Sequence, residues 1–446
     1  MIAKKGRVYY NKVTMSCRGR LYPDRDCFIK TGGYLLVPKN MIIGQSGGPT
    51  AVINASLSGA IQQAMRSPEI GEVYGALNGL EGLLKERIVD LRVNFKTSED
   101  FQLLESTPSA ALGSCRFKMP PHPDPAYDTL LQIFRKFDIG YFFYIGGNDS
   151  MDTVQKLSEF FLSRGEDVKC VGIPKTVDND LPITDHTPGF GSAAKYVATS
   201  VAEVYRDSLV YDIPMVSVVE IMGRNAGWLT AASVLARRPG CPAPHMILLP
   251  EVVFDPGAFL DRAAQLMKTE QNLVIAVSEG IRLAGGEYVA SAGTSATDSF
   301  GHAQLSGVGN YIKSLLQSRI SCKVRAIELS LLQRCAAHCA SLTDVREAVA
   351  VGSAAVSCAA AGQTGGMLVF HRVSSQPYLV TCDWAPVGDV ANLEKTIPGS
   401  WITPDGWDVT GEMADYIRPL IQGCNPTVTK DGMPVYFTLD KTLVTK

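Results

Sequence analysis

The sequence predicts an α/β fold built on parallel β-sheets covered on both faces by helices. Three observations lead there. Short apolar runs end repeatedly in glycine-bearing or polar turns, most of these turns lead into stretches with helical spacing, and the unit recurs between residues 41 and 280. Strands that alternate with helices pair in parallel, because the crossover brings the chain back to start in the same direction. Runs that are apolar throughout, rather than alternating, belong to strands buried on both faces.

The elements follow in order. A short apolar run from Met41 meets Gly44–Thr50 (GQSGGPT), and residues 51–65 then show helical spacing. Ile139–Ile145 (IGYFFYI) reads as a buried strand, Gly146–Ser150 (GGNDS) as its turn, and residues 151 to about 162 as a helix with Asp149 or Ser150 at the N-cap. Val168–Ile173 ends in Pro174–Asp180 (PKTVDND), Met215–Ile221 in Met222–Gly227 (MGRNAG), and Asn272–Val277 in Ser278–Gly280 (SEG). Ligands of such folds sit outside the carboxyl ends of the strands, which is where all five loops fall.

Composition bounds the function. A chain of 446 residues is expected to hold two or three domains at roughly 100–200 residues each. With 46% hydrophobic and 19% charged residues, global disorder is excluded. Lys+Arg 42 against Asp+Glu 44 leaves a net charge of −2, so no global basic field serves nucleic acid or an anionic membrane. No apolar run reaches the ~18–20 residues of a membrane span, and Met1–Gly6 lacks the apolar stretch of a signal peptide. Eleven cysteines, an odd number scattered along the chain, point to reduced thiols and a cytoplasmic location. Residues 1–38 are basic and aperiodic and are expected to be an N-terminal extension outside the fold.

The loops carry the chemistry. Gly44–Thr50 and Gly146–Ser150 place small residues ahead of a helix, where backbone N–H groups and the helix terminus can receive an oxyanion. Neither fits G-x-x-x-x-G-K-[ST] or G-x-G-x-x-G, which argues against P-loop and ordinary dinucleotide sites. Pro174–Asp180 offers a cation (Lys175), a hydroxyl (Thr176) and two carboxylates (Asp178, Asp180). If the segment is extended, both carboxylates face the same way. One can then accept a hydroxyl proton while the other holds a metal ion; the plainer reading is a polar turn. Arg224 in its glycine loop suits bidentate phosphate contacts. Cys335 and His338–Cys339 lack a second ligand pair, so a zinc site is not expected.

Taken as an ordered set, these residues resemble the phosphofructokinase family. The set comprises Gly47–Gly48, Leu112–Phe117 (LGSCRF), Gly146–Ser150, Pro174–Asp180, Met222–Arg224, Ser278–Gly280 and Gln333–Arg334. The resemblance runs from about Ile42 to at least Arg334. It implies two Rossmann-like doubly wound parallel-sheet domains with the active site in the cleft between them. The implied phosphoryl-donor domain is 39–189 plus about 333–383, and the sugar-phosphate domain 190–332 plus about 384–446. The implied reaction moves a phosphoryl group, with Mg2+, onto the 1-hydroxyl of fructose 6-phosphate. By motif, Asp178 resembles the general base, with Arg224 and Lys175 as catalytic cations. Gly48, Arg116, Gly147, Asn148, Asp149, Ser150 and Lys175 resemble donor-binding positions. Thr176, Asp178, Met222, Gly223, Arg224, Glu279, Arg325 and Arg334 resemble sugar-phosphate-binding positions, and Asp149 and Asp180 candidate metal ligands. The resemblance also implies a homodimer or homotetramer in which Arg325 acts across the subunit interface.

Two positions bear on the donor. Asp149 stands where ATP-dependent members commonly have glycine, and Lys175 replaces the glycine of a Pro-Gly-Thr. This pairing resembles the pyrophosphate-dependent branch of the family, whose reaction is reversible and serves glycolysis or gluconeogenesis. A glycine leaves room for a nucleotide α-phosphate, whereas an aspartate fills the space and repels it. Two unit charges ~4 Å apart interact by about 4 kcal/mol at an effective dielectric of ~20, equivalent to roughly three orders of magnitude. The alternatives are ATP dependence, a catalytically silent regulatory subunit, and an NAD kinase-like enzyme that would leave Arg325 and Arg334 unexplained. Three positions depart from the family pattern. Asn148 stands where an aspartate commonly helps bind magnesium. Leu331 and Met215 stand where phosphate ligands are common, which implies substitutes from residues 251–330.

Overall fold

The computed structural model describes residues 14–15, 37–289 and 307–446. The expected N-terminal extension therefore lies outside the described residues, apart from a two-residue strand and residues 37–38. The first sheet contains β1 (Thr14–Met15), β2 (Lys39–Gln45), β3 (Ile70–Ala76), β4 (Ile88–Asp90), β5 (Ile139–Gly146) and β6 (Lys169–Pro174). The second contains β7 (Met215–Ile221), β8 (Met246–Leu248), β9 (Asn272–Ser278) and β10 (Lys323–Glu328). The chain then returns to the first sheet with β11 (Gly366–Ser375) and β12 (Tyr378–Pro386).

The strand orders are β1-β12-β11-β6-β5-β2-β3-β4 and β10-β7-β9-β8. The second sheet is parallel throughout. The first is parallel from β11 through β3, but β4 runs antiparallel to β3 and β12 antiparallel to β11, while β1 pairs with β12 in parallel. That corrects the wholly parallel expectation at its margins. Only Gln376 and Pro377 separate β11 from β12, and so short a connection can join only antiparallel strands.

Alternation along the strands assigns the cores. In β2, Ile42 packs with Phe134 and Phe142 on one face, while Ile43 packs on the other in a cluster that also holds Phe143 and, from the second sheet, Val219 and Val274. In β7, Val218 belongs with Phe259 and Ile275 on the far side of the second sheet. One apolar body thus runs beneath both sheets and fixes the floor between them.

The chain leaves β2 toward β3 on one side and later places β5 on the other, so the order reverses between β2 and β5. A crevice opens at the carboxyl ends of strands at such a switch point. The helix after β5 spans Asn148–Ser163 and its N-cap is Gly147, not Asp149 or Ser150 as the sequence suggested. Asp149 lies within the first turn, where a carboxylate meets the positive end of the helix. Cys115, Cys170, Cys241, Cys322, Cys335, Cys339 and Cys424 are free thiols, and no described helix is long and apolar enough to cross a membrane.

Candidate active site

A cavity of about 620 Å³ opens at the switch point and continues onto the ends of β7 and β9. Each loop singled out in the sequence contributes to its wall: Gly47–Gly48 after β2, Gly147–Ser150 after β5, Lys175–Asp178 after β6, Met222 and Arg224 after β7, and Glu279 after β9. Of the predicted residues, Gly223 stands just behind the wall, and its N–H reaches the Glu279 Oε1 at 3.4 Å. Arg325 is not in the cleft.

The turn after β6 is not extended. Asn179 takes the left-handed conformation (φ 54°), and the Asp178 N–H donates to the Thr176 Oγ1 at 3.1 Å. Asp178 and Asp180 still both line the cavity, because the turn, rather than strand alternation, brings them there. Lys175 is 4% exposed, and its Nζ donates to the Gly48 carbonyl at 2.7 Å, which ties the β6 loop to the β2 loop. Arg334 closes the same corner. A Cβ on Gly48 would stand 2.7 Å from the Arg334 Nη1, so glycine there lets the guanidinium lie on the backbone. This places Arg334, expected among the sugar-phosphate ligands, beside Lys175 and Arg116. On the opposite wall a Cβ on Gly280 would stand 1.9 Å from the Arg224 carbonyl oxygen, so the Met222–Arg224 loop can pack on the Glu279 turn only over a glycine.

The electrostatics are those of a site awaiting ligands. Burial pushes Lys175 down to about 8, and Arg334 and Arg116 add to this against the pull of Asp178 and Asp180. Burial raises Asp178, restrained by Lys175, Arg224 and Arg334. Asp180 rises to about 7 through burial and then the charge of Asp178, and Glu279 rises to about 7 for the same two reasons. The Asp180 Oδ1 and the Arg224 Nε are buried without hydrogen-bond partners. An orphaned carboxylate oxygen and an orphaned guanidinium N–H are costly unless something completes them. The five cations of the wall (Arg116, Lys118, Lys175, Arg224, Arg334) face five carboxylates (Asp149, Asp178, Asp180, Glu279, Glu394). With the wall balanced, highly anionic ligands need a further positive charge. A divalent cation fits at Asp180, whose free oxygen is a hard donor. Asp149 is less suited, since its carboxylate already pairs with Lys118 at 3.5 Å.

Sequence reasoning missed Lys118, Asn225, Asn392 and Glu394, all of which line the cavity. Lys118 follows Arg116 by two residues in an aperiodic loop, a weak signal that was available. Asn392 and Glu394 follow β12 with no glycine turn and offered none. Nor did the sequence foresee the commitment of Asn148, whose side chain donates to the Leu393 carbonyl and accepts from the Asn392 N–H.

A cleft between two parallel sheets, holding a base, fixed cations and an orphaned carboxylate, defines a phosphotransferase of the α/β class. Comparison with known proteins agrees: the phosphofructokinase profile matches residues 40–359, and the chain belongs to that family. It is 42% identical over 407 residues to a pyrophosphate–fructose 6-phosphate 1-phosphotransferase of Halomonas elongata, covering 90% of this chain and 96% of that protein. It is also 42% identical over 416 residues to the protein of the same name from Methylococcus capsulatus, covering 92% and 98%. Among solved structures, a pyrophosphate-dependent phosphofructokinase from Marinobacter aquaeolei superposes with a TM-score of 0.82 at 40% identity, over 92% of this chain and 98% of that one.

Proposed function

We propose that this chain catalyses the reversible, Mg2+-dependent transfer of a phosphoryl group from pyrophosphate to the 1-hydroxyl of fructose 6-phosphate, giving fructose 1,6-bisphosphate and phosphate. The observation that carries the donor assignment is Asp149 on the cavity wall, with Lys175 buried beside Gly48. The names of the relatives point the same way. The charge part of the donor argument weakens, because Lys118 partly neutralises Asp149. The steric part is unaffected by that pairing: in this reading the side chain takes up room on the wall that a longer donor would need.

In this reading Asp178 takes the proton of the sugar hydroxyl. The freed oxygen attacks the near phosphorus, the bond to the bridging oxygen breaks, and phosphate leaves with the electron pair. Lys175, Arg116 and Arg334 hold the donor oxygens, and Arg224 stabilises charge on the moving group. Glu279 accepts hydroxyls of the sugar. A divalent cation, when bound, would be held at Asp180 and would supply positive charge against the donor oxygens. Catalysis here is positioning and charge compensation rather than covalent help.

The division of the chain into a donor unit (39–189 plus about 333–383) and a sugar unit (190–332 plus about 384–446) is supported by the way β11 and β12 rejoin the first sheet. A homo-oligomer with Arg325 acting across subunits is supported by its place on the edge strand β10, 36% exposed and outside its own chain's cleft. Exposed Leu331 and Leu332, and Leu209–Tyr211 with Ile213, offer apolar surface for such a contact. A cytoplasmic setting accords with the free cysteines. The test is a coupled assay with fructose 6-phosphate and Mg2+, comparing pyrophosphate with ATP. Preference for pyrophosphate is expected, and preference for ATP would overturn the donor assignment.

A further inference from the structure

The segment Asn392–Ile397 lies beyond the residues that the family profile matches, yet it touches the cleft loops that follow β5, β6 and β7. At its first end the Asn148 amide makes the two-way contact with the Asn392 N–H and the Leu393 carbonyl, and the Asn392 Nδ2 donates to the Asp152 Oδ1 at 3.1 Å. At its centre the Lys395 N–H donates to the Asp180 carbonyl at 2.7 Å. The Lys395 Nζ reaches the carbonyls of Asp185 at 2.9 Å and Thr184 at 3.1 Å, and the Asn179 Oδ1 at 3.5 Å. At its far end the Trp228 Nε1 donates to the Lys395 carbonyl at 2.9 Å. The Glu251 Oε1 there accepts from the N–H groups of both Gly227 and Ile397, at 2.9 and 3.1 Å.

We infer that this segment is a strap that positions the reacting groups, with Asn148 and Lys395 as the positioning residues that bolt the donor loop to the catalytic turn. The identity of residue 148 follows from it. An amide can give to the Leu393 carbonyl and receive from the Asn392 N–H at once, whereas an aspartate would set a bare anionic oxygen against that carbonyl. Lys395 has a matching task. Asn179 holds a left-handed backbone that an asparagine tolerates without preferring, and the ammonium fastens both its side chain and the carbonyls that follow the turn. Displacement of reacting groups by about 1 Å can cost ~100-fold in rate.

The inference rests on the proposed reaction for its kinetics, but not for its structural test. Hydrogen exchange on the full chain compares wild type with Asn148→Asp and Lys395→Met. Each variant should speed exchange both in 392–397 and in the turn 178–185, with little change elsewhere. Unchanged exchange in the turn would overturn the inference, even if the wild type proved inert with pyrophosphate. With an active wild type, both variants should lower kcat by about 10- to 100-fold while leaving both KM values within a few-fold, and Lys395→Arg should recover part of the loss. Unchanged kcat, or a loss that appears only in KM, would likewise refute it.

Discussion

The two walls of the cleft are built on different terms. In the proposed reaction the donor wall stands mostly on the first sheet and is supplied by one chain: Lys175 and Arg334 meet at the Gly48 backbone, Arg334 arriving from the short helix after β10, and Lys118 pairs with Asp149. In that reading the sugar wall stands on the second sheet and holds Met222, Arg224 and Glu279, but of the two further arginines that the family resemblance assigns to the sugar phosphate, Arg334 lies beside Lys175 and Arg325 lies outside the cleft. Arg325 sits on the edge strand, bound to Asp207 at 2.8 Å. The contrast teaches that strands sharing a central position deliver a finished site, whereas an edge strand presents its residues outward, toward a neighbour.

The largest expected effect falls where the walls meet. Asp178 grows from the loop after β6 and, in the proposed reaction, takes the proton of the sugar hydroxyl. Asp178→Asn keeps the shape and removes the base, so kcat should fall by roughly 10²–10⁴-fold, with both KM values nearly unchanged. A rise in one KM alone would mean that Asp178 belongs to one wall and not to the reaction between them.

How legible the two walls were follows from the same contrast. The strand-loop units announced themselves, since runs such as IGYFFYI and MVSVVEI are buried on both faces and end in glycine or polar turns. Asp178, Arg224 and Glu279 were therefore found at once. The way in which Asp178 and Asp180 come together was misjudged, because a left-handed Asn179 leaves no periodic trace. The strap was invisible: half of its hold on the cleft comes from backbone N–H and C=O groups, which every sequence has, and the partners of these and of its Lys395 and Asn392 side chains lie more than 100 residues away. Lys118 softened a charge argument made for an unpaired Asp149, since pairing across a fold cannot be read from spacing.

If the sugar wall is finished by a second subunit, Arg325→Ala should raise the KM for fructose 6-phosphate by about 10- to 100-fold, the worth of a charge-assisted phosphate contact, and spare the KM for pyrophosphate. Mixed and reassociated with Asp178→Asn, it should regain activity that neither variant has alone at low substrate, because a hybrid contains one site with both residues intact. No recovery would place Arg325 outside the reaction. On the donor wall, Asp149→Gly should improve the use of ATP by a smaller amount, about 10- to 30-fold, since Lys118 already offsets part of the repulsion. An unchanged preference would shift the discrimination to the rest of the loop.

The smallest effect separates the walls by pH. In the ligand-free enzyme, Glu279 and Asp180 lie near 7, raised by burial and by Asp178, and must be deprotonated to accept a hydroxyl and a metal ion. Activity measured as kcat/KM should therefore fall as pH drops through about 7. Lys175, lowered by burial to about 8, must keep its proton to hold the donor, so kcat/KM should fall again as pH rises through about 8. The acid limb then belongs to the carboxylates and the alkaline limb to the donor wall. Lys175→Arg, whose guanidinium stays charged throughout, should carry its share of the alkaline limb out of range, leave the share of Lys395, which burial also lowers to about 8, and leave the acid limb in place. Glu279→Gln should move only the acid limb, and by less than one pH unit, because Asp180 still titrates there. An alkaline limb that follows Glu279, or an acid limb that follows Lys175, would dissolve the division, since each wall would then be titrating through the other.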